Sequence, residues 1–77
     1  MPAKQPTWED RAKRFLKAEL KRAGVSYADL AKRLKAHGLK ETEASIANKL
    51  SRGTFPATFL LAAAIAIELE VIKLADI

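Results

Sequence analysis

Few side chains of this chain could do covalent chemistry, and none has the neighbours that such chemistry needs. Acids stand two positions apart twice, Glu41 with Glu43 and Glu68 with Glu70. Two positions apart on a helix, such carboxylates point away from each other and form no acid–base pair. His37 is the single histidine and precedes a glycine, where its simplest role is to face the carbonyl end of a helix. The chain has no cysteine, no glycine-rich phosphate loop and no metal-ligand spacing. It therefore reads as a non-enzyme with no cofactor and no metal, and no small-molecule ligand is inferred.

What remains is the chemistry of charge. Between residues 11 and 35 stand Arg11, Lys13, Arg14, Lys17, Lys21, Arg22, Lys32, Arg33 and Lys35, opposed only by Glu19 and Asp29. From Gly53 onward Lys73 faces Glu68, Glu70 and Asp76. The net charge of +5 is thus concentrated in one half. A basic half and an apolar, slightly acidic half suggest one side for a polyanion and one for packing. The alternative is a solvated basic surface that keeps a small protein dispersed.

The 77 residues suit one small domain, 49% hydrophobic and 30% charged. A chain of this size buries only about 60% of its unfolded surface, so its core must be efficient. The segment MPAKQPTWEDR has no apolar stretch of the secretory kind. The longest apolar run, Phe59 to Ile67, is nine residues, against the roughly 18–20 needed to cross a bilayer. The expected location is cytoplasmic, without membrane attachment, and the lack of cysteine agrees with it.

Four to five helices are expected to position these charges. Residues 1–6, with two prolines and no periodicity, read as a flexible arm ahead of a single helical domain over residues 7–77. Thr7 caps a helix over about residues 8–23, with Trp8, Ala12, Phe15, Leu16 and Leu20 as its apolar stripe and Gly24 as its stop. By that spacing Trp8 is a core residue; stacking on a nucleic-acid base is the alternative. Ser26 and Asp29 cap a second helix over residues 27–37, with Val25 and Leu30 spaced as a hydrophobic staple. Thr42 opens a third, residues 43–52, with Ile46 and Leu50 inward and Gly53 at its end. A fourth, residues 56–69, starts at Pro56 and is apolar on every side. Three other helices cannot wrap it fully. A homodimer through Phe59, Leu60, Ala63, Ile67 and Ile72 is therefore expected to cover part of it. A short fifth turn over residues 71–76 adds to the same patch. No segment alternates at period two, so the protein is all-α.

Residues Ser26-Tyr27-Ala28-Asp29-Leu30-Ala31-Lys32-Arg33-Leu34 and Ser45-Ile46-Ala47-Asn48-Lys49-Leu50-Ser51-Arg52-Gly53 resemble the lambda-repressor-like, Cro/C1-type helix-turn-helix family. With the first and closing helices the resemblance covers residues 10–75. The segment KETEASIANKLSRGTF is also similar to a small family of short bacterial proteins of unknown function. The helix-turn-helix resemblance implies a compact domain that binds double-stranded DNA and regulates transcription, with the third helix in the major groove. It makes Ser45, Asn48, Lys49 and Arg52 candidates for base edges. Tyr27, Lys32, Arg33, Lys35 and Lys40, with Lys17 and Lys21 of the first helix, become candidates for phosphates. Three features depart from the family. Tyr27 stands where a glutamine is common, the connection between the second and third helices is long, and Glu41 and Glu43 lie where an anion must approach. The second expectation is accordingly a protein-interaction module on the same scaffold, working through the apolar C-terminal helix.

Overall fold

The computed structural model describes residues 6–77, so the arm expected over residues 1–6 lies outside them except for Pro6. Among the described residues are four α-helices: α1 (Trp8–Ala23), α2 (Tyr27–Ala36), α3 (Glu43–Arg52) and α4 (Ala57–Ala66). A 3-10 turn, Leu74–Asp76, follows them, and there is no strand among the described residues. The protein is a small all-α domain.

Each of the first three helices begins where a hydroxyl can hold a free backbone N–H. Thr7 Oγ1 accepts from Asp10 N at 3.1 Å, Ser26 Oγ from Asp29 N at 3.1 Å, and Thr42 Oγ1 from Ser45 N at 3.0 Å. Substituting such a cap costs about 1 kcal/mol. The Thr7 hydroxyl, followed by Lys13 at 3.5 Å, also holds the Asp10 carboxyl below its ordinary range. The same helices are followed by glycines in the left-handed region, Gly24, Gly38 and Gly53. Val25 N–H then returns to Leu20 O at 2.9 Å, and Leu39 N–H to Leu34 O at 3.0 Å. These returns seat Val25 and Leu39 on the core.

α4 follows neither rule. Pro56 precedes it without a side-chain cap. It ends at Ala66 rather than at residue 69, because Glu68 takes a left-handed φ of 61° and Leu69 N–H folds back to Ala64 O at 2.8 Å.

Leu16, Leu30, Leu34, Ile46, Leu50 and Phe59 are the large side chains wholly removed from solvent. Each such burial is worth roughly 1.5–3 kcal/mol, more than a typical cap. α3 packs against both α1 and α2, and α2 packs against α4. The contact of α3 with α1 is close at one point. A Cβ on Gly53 would lie 2.1 Å from the backbone oxygen of Glu9, so only glycine fits between the end of α3 and the start of α1.

That geometry corrects one expectation. Trp8 is 72% exposed and not part of the core. The chain reaches the first turn of α1 at Glu9, about 100° around the helix from Trp8. The Arg11 guanidinium lies over the Trp8 ring instead, 4.2 Å from its centroid. Arg11 also donates from Nε and Nη2 to Ile77 O at 3.2 and 2.9 Å, which holds the C-terminal tail against α1.

No helix is long and apolar enough to cross a membrane among the described residues.

Candidate nucleic-acid interface

α3 turns one stripe fully to solvent. Ile46 and Leu50 are buried inward, and Ala44, Asn48, Ser51 and Arg52 are exposed on the other side. Asn48 lies four residues after Ala44, and Ser51 and Arg52 lie three and four after Asn48, the spacing of a single helix surface. Asn48, at its centre, can donate and accept at once. Ser51 can do either, and Arg52 carries a fork of donors. Ser51 is the member that sequence reasoning missed, although its place three residues after Asn48 was the signal.

The two other expected base-contact residues are committed elsewhere. Ser45 Oγ accepts from Thr42 N at 2.8 Å and donates to Glu41 Oε1 at 2.7 Å, so it is a capping residue. Lys49 Nζ donates to the same Glu41 oxygen at 3.0 Å and lies 5.6 Å from the Phe59 ring centroid. Neither faces outward with Asn48. Residues 41, 45 and 49 follow the four-residue repeat of one helix face, so α3 is extended backward by an acid that its own side chains hold.

That network settles where the acids lie. The Glu41 side chain is only 12% exposed and is neutralised by Lys49. Glu43 is exposed, but five residues of helix place it about 140° around the axis from Asn48. Neither acid divides the outward stripe of α3.

The bases divide into groups. Lys32 and Lys35 on α2 and Lys40 in the connection are exposed, and no ion pair engages them among the described residues. Arg33 is not in this group. Its Nη1 donates to Ala66 O at 3.0 Å and its Nη2 lies 3.3 Å from Asp29. It caps the carbonyl end of α4 rather than facing a ligand, and there it also complements the helix dipole. Tyr27 is half-buried and packs against the core. Lys17 and Lys21 are exposed with Arg14 in a strip along α1. His37 is exposed at the end of α2. No group of three His, Cys, Asp or Glu side chains among the described residues could hold a metal ion.

The expected dimer patch needs correction as well. Phe59, Ala63 and Ile67 are 2%, 0% and 8% exposed and belong to the core of the single chain. Leu60 and Ile72 remain partly accessible, in a groove described below. The uncovered side of α4 carries Leu61 and Ile65 instead. A helix apolar all round carries no sign of which side the other helices will cover.

The family model described as Domain of unknown function (DUF6471) matches residues 8–72, from the first residue of α1 into the tail after α4. The chain belongs to the DUF6471 family. That description assigns no activity to the family. The matched span of the DUF6471 chain includes the α3 stripe, the Glu41 network and the bases of α2. No curated protein and no solved structure matches the chain.

Proposed function

We propose that this DUF6471 protein binds double-stranded DNA, as its helix-turn-helix resemblance implies, and acts in the regulation of transcription. α3 enters the major groove with Asn48, Ser51 and Arg52 toward base edges. Lys32 and Lys35 of α2 and Lys40 of the connection meet the flanking phosphates. Such a role belongs in the cytoplasm of a bacterial cell.

One observation supports this above the others. The outward stripe of α3 is polar and free of protein partners, while the acid that precedes it is tied down by Ser45 and Lys49. Asn48 suits adenine, through a bidentate pairing of its amide, and Arg52 suits guanine or a phosphate. The alternative, a protein-interaction module, loses one of its supports, because Glu41 is not displayed to a partner, while Glu43 remains exposed.

The test is binding of the intact chain to random and selected duplexes across a salt series. Three or four phosphate contacts per chain give a slope of log K against log salt of about −3 to −4. Lys35→Gln should weaken all duplexes alike and flatten that slope by about one. Asn48→Ala should lower the preference for the selected site by about 1–3 kcal/mol and leave the slope unchanged. Absence of binding at low salt and micromolar protein contradicts the proposal.

A further inference from the structure

Beside the first turn of α1 lies an open groove of about 440 Å³, lined by apolar side chains including Trp8, Phe15, Phe55, Leu60, Ile72 and Leu74. Among the described residues no charged side chain lines it. α4 forms part of one wall through Leu60 and then continues outside it as a ridge. Leu61, about 100° further round the helix, is 57% exposed, and Ile65, one turn on, is 61% exposed. Trp8 and Leu74, in the groove lining, are 72% and 77% exposed.

We propose that this surface is where two copies of the chain associate, the Leu61/Ile65 ridge of each lying in the groove of the other. The partner is a second copy because the two halves of the contact are on one chain and share α4. A two-fold axis beside α4 therefore satisfies both grooves at once, which is the self-complementarity an isologous dimer requires.

Area and charge support the same partner. Trp8, Leu61, Ile65 and Leu74 together leave on the order of 500 Å² in water, within the range of the largest patch on a monomer. With the half-buried groove walls added, the surface approaches the share of about 800 Å² that each partner gives to a standard interface. Two copies of net charge +5 repel each other unless their bases are kept apart. α4 carries no charged residue, and Arg11, beside the groove at Trp8, is engaged by Ile77 O and the Trp8 ring. The free bases of α2, the connection and α3 remain outside the contact. The inference does not depend on DNA, and its test contains none.

The test is sedimentation velocity of the full chain over a concentration series, with Trp8 emission followed in parallel. Trp8 is the only tryptophan, so its emission reports on the groove alone. The expected result is a species of twice the 8.5 kDa chain mass, with a blue shift of Trp8 emission as it forms. Ile65→Glu and the milder Ile65→Gln should each weaken association, the first by about tenfold or more, with the helical circular dichroism unchanged. Ala28→Glu, at an exposed site on α2, should leave the mass distribution as it is. A chain that stays at 8.5 kDa up to millimolar concentration overturns the proposal. A dimer indifferent to Ile65→Glu, or one whose formation leaves Trp8 emission unmoved, overturns it equally.

Discussion

α3 and α4 are each ten residues long and sit in the same core, yet they are held there by different means. α3 is fixed at both ends by specific contacts. Thr42 and Ser45 close a capping box at its start, Glu41 ties Ser45 to Lys49, and Gly53 meets the backbone of α1 at its end. α4 has no side-chain cap at its start, and its last carbonyls rely on a guanidinium from α2 and on a glutamate in a glycine-like conformation. Burial orients the rest of it, through Phe59, Ala63 and Ala66. The contrast teaches that specific end contacts can set one outward stripe, whereas burial of an all-apolar helix leaves apolar surface over. In α3 the leftover face is polar; in α4 it is Leu61 and Ile65.

The contrast is broken most severely at Gly53. Gly53→Ala places a Cβ 2.1 Å from Glu9 O at a φ of 72°, so it should destabilise the chain by about 2–5 kcal/mol. Gly38→Ala is the control, since its Cβ meets nothing within 4 Å and only the φ of 85° is strained. Its expected cost is about 1 kcal/mol. The difference between their urea midpoints isolates the α1–α3 contact. Equal midpoints mean that α3 is not held at this end by close approach.

A smaller effect is expected at the other end of α3. Glu41→Ala leaves Lys49 unpaired over Phe59 and takes one of two acceptors from Ser45 Oγ, the other being Thr42 O. Because the pair is partly exposed, a loss of about 1–2 kcal/mol is expected. A double-mutant cycle with Lys49→Ala should return a coupling energy of at least about 0.5 kcal/mol. Additive effects mean that the network does not position α3.

How much of this was legible in the sequence follows the same division. The starts of α1, α2 and α3 were readable because a hydroxyl cap acts within three residues, and their ends because Gly24, Gly38 and Gly53 are local signals. The end of α4 was not, since Glu68 carries no mark of a left-handed φ. The Glu41–Ser45–Lys49 network was readable in principle from its four-residue repeat, but only by treating the connection as part of the helix face. Trp8 stood correctly on a stripe, but no spacing rule says where the opposing chain stops. Which side of α4 stays uncovered was not legible in the sequence, because Phe59, Leu61, Ala63 and Ile65 are all apolar.

The smallest effect is expected at α4, and it has the opposite sign. Glu68→Gly removes the strain of a left-handed glutamate and should stabilise the chain by about 0.5–1 kcal/mol. A raised thermal midpoint checks it. Destabilisation instead would mean that the glutamate side chain supplies a contact that ends α4, making its end as specific as that of α3.

The central claim is that the outward stripe of α3 is a DNA-facing surface. Titration of the ¹⁵N-labelled chain with a duplex tests it residue by residue. The expected result is a set of amide shifts centred on Asn48, Ser51 and Arg52, extending to Lys35 and Lys40, with α4 unmoved. Shifts confined to the Arg14, Lys17 and Lys21 strip of α1, or none at all, would contradict it.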